Sequence, residues 1–296
     1  MMISLAADKI AWAAQIACLL ESSAEKPGNV TRSKEFFDSR YEDFLVSAIA
    51  IGPAFRNATH ASVGETIQRA VKDTQGLVGT NTNLGMVLLL APLAKAAGNG
   101  HPQGLQAAVA KVLDALTIND AELAYEAIRL AVPAGLGKVE RYDVREAKID
   151  ITLREAMMLA QDRDTVAREY VTCFENTFNL GYLTLLRFWE HGHRLSDSIV
   201  QTFLTILAQV PDALITRKNG QTIAEQVSQS ARKVLERGGI FSAEGREEIH
   251  NFDLIVRDER HRLNPGTTAD LVAAVLFVFL TEGDMLERFR ELIRRW

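Results

Sequence analysis

Apolar residues recur every three or four positions along nearly the whole chain, the spacing that lines one face of an α-helix. The Val- and Ile-rich alternation of a half-buried strand is scarce. This pattern predicts helices near residues 3–24, 41–56, 61–74, 82–97, 103–116, 118–131, 152–190, 196–210, 220–237, 243–258, 268–280 and 283–295. Thr117 with Asp120, Ser196, Ser242, and Thr281 with Asp284 stand where N-caps are expected. Pro27, Pro102, Pro133, Pro211 and Pro265 fall between helical runs, whereas Pro53 and Pro92 fall inside them and predict kinks or breaks. "KIDITL", Lys148 to Leu153, is the one alternating segment and reads as a short strand without a partner. No repeat or long linker interrupts the chain, so the expected fold is all-α: a single globular multi-helix domain over residues 1–296 with buried central helices.

Four polar segments at helix boundaries break this pattern. In "GTNTNLG", Gly79 to Gly85, the capping-type residues Thr80, Asn81, Thr82 and Asn83 are consecutive, although one cap needs only one of them. The segment opens directly into an apolar helix whose free N–H groups and positive dipole end suit a phosphate or carboxylate. Gly79 and Gly85 allow close backbone approach. "NPGTTADL", Asn264 to Leu271, opens a second wholly apolar helix, with Asp270 in or near its first turn. A carboxylate on a helix that is apolar all round is partly buried and needs a partner or a metal. "EKPGNVTR" at Glu25 is by itself explained as a helix stop, and "PDALITRKNG" at Pro211 as a charged solvated loop. Taken together, the two polar turns aim two helix N-termini at one interior space, a geometry that suits a polyphosphate with its metal ion.

Composition narrows the class without naming a ligand. The chain has 296 residues, 47% hydrophobic and 24% charged, with a formal net charge of -5, so it offers no global basic field for nucleic acid. "LVAAVLFVFL" is too short to span a bilayer, and the N-terminus lacks the basic start of a signal peptide. Two cysteines, Cys18 and Cys173, are too few for a disulfide framework. The expectation is a soluble cytoplasmic protein that binds neither nucleic acid nor membrane.

"KPGNVTR", "GTNTNLG", "DALITRKNG" and "NPGTTADL", in this order, resemble the triphosphoribosyl-dephospho-coenzyme A synthase family, ATP:dephospho-CoA triphosphoribosyl transferases. The resemblance implies an all-helical enzyme that moves the triphosphoribosyl part of ATP onto a ribose hydroxyl of 3′-dephospho-coenzyme A and releases adenine. The product is the precursor of a prosthetic group carried downstream by an acyl carrier protein. The chain departs from the family in mid-sequence. Where the citrate and malonate enzymes carry a Gly-Ala-Arg-x-Glu-Ala type motif, it reads "AVPAGLGKVERYDVREA" followed by "LAQDRDTVAREY", which marks a divergent branch.

On this resemblance the expected phosphate contacts are Lys26, Arg217 and Lys218, helped by the turn Gly79, Thr80, Asn81, Thr82 and Asn83. Asn264, Gly266, Thr267 and Thr268 complete the substrate-binding set. Asp270 and Asp212 are the candidates for holding Mg²⁺ or for activating the acceptor hydroxyl, the two roles left open between them. The alternatives are an ATP-dependent step on another coenzyme acceptor such as a pterin, and a non-catalytic helical nucleotide-binding or scaffold protein. The scaffold reading expects the polar clusters on separate surfaces. "HGH" at His191, "QDRDTVAREY" at Gln161 and "RDERHR" at Arg257 read as solvated surface rather than site.

Overall fold

Two helices carry almost no polar residue on any face, and the others wrap around them. In the computed structural model, which describes residues 6–296 apart from 101, 102, 147, 148 and 259, these are α5 (Leu84–Asn99) and α15 (Gly266–Thr281), packed against each other. Every residue of α15 from Leu271 to Thr281 is buried. The N-terminal helix α1 (Ala7–Ser23) lies along α15, followed by α2 (Tyr41–Ala50), α3 (Gly52–Arg56) and α4 (Val63–Val78). After α5 come α6 (Leu105–Asp114) and α7 (Ile118–Ala131), α7 pairing along α4. A long connection then leads to α8 (Leu153–Ala160) and α9 (Thr165–Val171). A π-helix at Asn176–Tyr182 leads into α10 (Leu183–Glu190), and α11 (Leu195–Gln209) packs on α15. The chain ends with α12 (Ala213–Asn219), α13 (Gln221–Glu236), a 3₁₀ turn at Gly239–Phe241, α14 (Ala243–Val256), α15 and α16 (Met285–Arg295). One hydrophobic core runs from Ile10 to Leu292. No β-strand occurs among the described residues, only isolated bridges at Thr31–Lys34 and Phe36–Ser39. No single helix among them is long and apolar enough to cross a membrane.

Several local expectations give way to tertiary structure. The stretch 152–190 is four elements rather than one helix. Asp164 caps α9 by accepting from Val166 N and Ala167 N, and Cys173 and Phe174 take φ of +53° and +62°. The fully buried Glu169 then accepts from the backbone and side chains of Asn176 and Thr177, which holds the π-turn. Burial pushes its carboxyl up against those four donors. Of "KIDITL", Lys148 lies outside the described residues, as does Pro102. Residues 149–152 form no strand, and Leu153 already starts α8 behind the Thr152 cap. Ser196 lies inside α11, and Thr281 is the last residue of α15, while Asp284 takes the Glu287 N–H. Thr117 and Ser242 do cap α7 and α14.

Pro53 separates α2 from α3, but Pro92 sits in an unbroken α5. A proline at 92 has no N–H for the carbonyl of residue 88. The buried Tyr170 hydroxyl donates to that Leu88 carbonyl at 2.6 Å, replacing the lost bond from another helix. Burial pushes the Tyr170 phenol well above its ordinary range, so it remains a donor. Tyr170→Phe is expected to lower stability by about 1–3 kcal/mol, the cost of a buried unpaired carbonyl. Pro92→Ala, which returns the N–H, should erase much of that loss; denaturant unfolding of both single variants and the double variant measures the coupling.

Candidate functional site

The turn that opens α15 ties together segments that are far apart in sequence. Asn264 Nδ2 donates to the Gly28 carbonyl at 2.9 Å. Gly28 has φ +73°, and a Cβ there would stand 2.7 Å from Val256 Cγ2 and 2.9 Å from Pro265 Cδ, so "KPGN" can lie against "NPG" only with glycine. Thr268 donates through its N–H and hydroxyl to Asp212 Oδ2 at 2.7 and 2.8 Å. Lys218 Nζ donates to the His261 carbonyl at 3.0 Å. In the first turn of α5, Gly85 faces Asp270 so closely that a Cβ would collide with the carboxylate. The polar segments therefore converge on one place instead of separate surfaces.

They border a cleft of about 910 Å³. Gly79, Thr80, Asn81, Thr82, Asn83, Arg217, Lys218, Asn264, Gly266, Thr267 and Asp270 all line it. Part of the excess of capping residues has a structural use. Asn81 Oδ1 accepts from Leu84 N, the Thr82 hydroxyl meets that of Ser47, and Asn83 Nδ2 reaches Thr74 and the Ser47 carbonyl. These bonds fix the turn to α2 and α4 and use the Leu84 N–H, while Gly85 and Met86 of the same turn line the cleft.

Three of the residues singled out in the sequence do not line it. Lys26 is 1% exposed and paired with Glu21 at 3.0 Å, and its ammonium also donates to the Glu21 and Ala24 carbonyls. An ammonium with all three protons committed inside the fold closes off α1 and has none left for a phosphate. Asp212 is 2% exposed. Its Oδ1 caps α12 through Leu214 N and Ile215 N, its Oδ2 holds Thr268, and this occupation excludes a metal ion. Thr268 is spent on the same bond. The charged segment at 211–220, read in the sequence as a loop, is the short helix α12.

Asp270 is the fifth residue of α15, one turn further in than its first turn. Its carboxylate has no hydrogen-bond donor among the described residues. Burial, then the charges of Glu21 and Asp212, push its carboxyl well above the usual range, with Arg217 opposing. Arg217 Nη1 pairs with Asp164 Oδ2 at 2.8 Å, both groups partly exposed in the cleft. Desolvation pulls the Lys218 ammonium below its ordinary value. The site thus sets a proton-hungry carboxylate within the field of Arg217, with Lys218 also on the cleft lining, an arrangement suited to an anion that carries its own metal.

The sequence reading passed over several lining residues. Glu21 sits on the buried face of an ordinary helix; Asp164, whose spacing reads as a solvated ion pair with Arg168 on a segment that could also face the cavity, meets Arg217 across the cleft instead. His261 is hidden in a mixed-charge run. It has φ +49°, stacks on Phe36 at 3.6 Å between centroids, and has no hydrogen-bond partner on either ring nitrogen. Burial holds its imidazole below the ordinary value and therefore neutral. Its left-handed backbone shows only in the fold, and no motif in the sequence announces it. In "HGH", the His191 ring donates to the Arg187 carbonyl and His193 stacks on Phe241.

Among the described residues no three His, Cys, Asp or Glu side chains gather around a common point. Mg²⁺ needs less than that, since it keeps waters and is bound by one or two carboxylates together with substrate phosphates. Asp270, unpartnered, fits a cation that arrives with a polyphosphate; Asp212, and Glu21 with its oxygens held by Lys26 and Ser22, do not.

Comparison with known proteins gives the same answer from outside the site. The family described as ATP:dephospho-CoA triphosphoribosyl transferase matches residues 7–289. A probable 2-(5''-triphosphoribosyl)-3'-dephosphocoenzyme-A synthase of Pseudomonas fluorescens strain Pf-5 is 26% identical over 261 residues, covering 82% of this chain and 80% of its own. One from Malonomonas rubra is 22% identical over 304 residues, covering 94% and 90%. A crystal structure assigned to a triphosphoribosyl-dephospho-coA synthase from Archaeoglobus fulgidus superposes with a TM-score of 0.62 at 29% identity, covering 81% of this chain and 99% of that one. With the four segments joined at one cleft and the match running over nearly the whole chain, the protein belongs to the ATP:dephospho-CoA triphosphoribosyl transferase family.

Proposed function

We propose that this protein transfers the triphosphoribosyl part of ATP to a ribose hydroxyl of 3′-dephospho-coenzyme A and releases adenine. The observation that carries the reading is the junction of the α5 N-terminus, Arg217, Lys218 and Asp270 at one cleft in a chain of this family. In the transfer the bond from ribose C1′ to the adenine nitrogen breaks and a bond to the acceptor oxygen forms, through a state with oxocarbenium character as in glycoside chemistry. Arg217, Lys218 and the N–H groups of the 79–85 turn neutralise the triphosphate. Mg²⁺, entering with ATP, would add charge neutralisation next to Asp270. Asp270 accepts the proton of the acceptor hydroxyl, a task for which a raised pKa suits a carboxylate. The reaction belongs in the cytoplasm, where ATP is present, and its product is suited to an acyl carrier protein downstream.

The test is purified protein with ATP, Mg²⁺ and dephospho-coenzyme A, with chromatography for free adenine. Adenine and a triphosphoribosylated acceptor in equal amounts are expected; ADP in place of adenine would overturn the reading. Gly85→Ala offers a second check. A methyl group there must push the Asp270 carboxylate aside, while alanine in a helix is favoured over glycine by up to about 1 kcal/mol. The variant should melt no lower than the parent yet release adenine at least tenfold more slowly.

A further inference from the structure

The cleft has a second wall of a different character. Opposite the helix N-termini, the C-terminal ends of α7 and α8 and the connection between them contribute Leu130, Val132, Leu136 and Leu159, all lining the cleft. These side chains are 38%, 79%, 40% and 55% exposed, although nearly all large aliphatic residues of the other cleft elements are buried. Val132 also takes φ +47°, a left-handed conformation that is costly for a β-branched residue and places its side chain at the rim.

This wall is built, not loose. Asp143 accepts from Val139 N and Arg145 N, and the Arg145 guanidinium holds its carboxyl far below the usual range. Arg145 also bonds the Gly137 carbonyl, Arg129 the Val144 carbonyl, and Tyr125 the Tyr142 carbonyl. Gly135 brings the connection against Arg217, with a Cβ 3.1 Å from that side chain, so the apolar rim abuts the cationic end directly.

We propose that this aliphatic rim holds the pantetheine arm of the acceptor, and that the mid-chain segment is what sets acceptor choice. The inference rests on the transferase reading. Dephospho-coenzyme A has two parts that differ in kind: an anionic nucleotide and a long arm that begins with a geminal dimethyl group and runs through methylenes and amides. Exposed aliphatic side chains match the arm, whereas a purine is held by stacking on aromatic faces. The aliphatic residues lie beside the cationic end that takes the triphosphate, so an arm seated on them stays within the same cleft as the transferred group.

The test is the double variant Val132→Asn with Leu159→Gln. Both positions are exposed, and asparagine tolerates the left-handed backbone at 132, so the fold is retained. The Michaelis constant for dephospho-coenzyme A should rise roughly tenfold, as expected when two apolar contacts with a ligand are lost, while that for ATP stays within twofold. Calorimetric binding of 4′-phosphopantetheine, which has the arm without the nucleoside, should be measurable in the parent and lost in the variant. Unchanged acceptor and phosphopantetheine binding, or equal changes for both substrates, overturns the proposal. Phosphopantetheine binding lost in the variant, from a parent that releases no adenine, would sustain the rim and remove the transferase reading; adenine release indifferent to the rim would do the reverse.

Discussion

Asp270→Asn is expected to abolish most Mg²⁺–ATP binding and yet yield a more stable protein. The substitution keeps the shape beside Gly85 and removes an anionic oxygen, a loss worth about 1.5–3 kcal/mol for a charged partner, or roughly tenfold to hundredfold in affinity. Turnover should fall at least as far. Stability moves the other way. The folded-state pKa of Asp270 lies above its unfolded value. Its contribution is therefore fully present below the unfolded pKa and is lost as pH rises through the folded pKa. At neutral pH and above, asparagine avoids that penalty, and the melting temperature of the ligand-free variant should exceed that of the parent by roughly 2 °C or more. In the parent, Mg²⁺–ATP affinity should increase as pH climbs through the same range, because the carboxyl must lose its proton to meet a cation. Scanning calorimetry and Mg²⁺-dependent ATP titration on one pair of proteins read all three. A variant that binds nucleotide normally removes Asp270 from the site.

Asp212→Asn is expected to show the opposite pattern. All four donors to Asp212 lie inside the fold, and an amide cannot accept at both ends. Its NH₂ must face either the α12 N-terminus or the Thr268 N–H. The cost of such a buried mismatch is about 2–3 kcal/mol, a fall of roughly 5 °C in a chain of this size. Well below melting, ATP affinity should change by no more than about threefold, since nothing on Asp212 is left to reach a ligand. A large loss of affinity with unchanged melting would return Asp212 to the catalytic candidates.

These two aspartates show what the sequence could and could not reveal. The all-helical fold and the buried α5 and α15 were legible because 3.6-residue periodicity and unbroken apolar runs are local signals. The convergence of the polar turns was legible because each opens or closes a buried helix. The division of labour was not. Asp212 and Asp270 stand in similar polar surroundings along the chain, and only the fold gives one of them four donors and the other none. Lys26 follows the same logic, since its burial depends on Glu21, one of several polar residues on α1 that the sequence gives no reason to set apart. His261 and Asp164 reach the cleft from runs of mixed charge, where periodicity carries no information about direction. Pro92 misled as a break because its remedy, the Tyr170 hydroxyl on the Leu88 carbonyl, lies 82 positions down the chain from Leu88.

The knot of bonds at the start of α15 has a bearing on how the protein comes into being. During synthesis, everything up to Pro265 is made before the helix that fills the middle of the molecule exists. Until then α1, α5, α11 and the π-helix have no common surface to close upon, and their apolar faces stand open. Pairing of Gly28 with Asn264 spans 236 positions, a closure that slows folding far more than the local helices do. A chain ending before α15 is therefore expected to expose those apolar faces and bind a hydrophobic dye, while the full chain does not; equal dye binding by both would remove α15 as the element that closes the cleft.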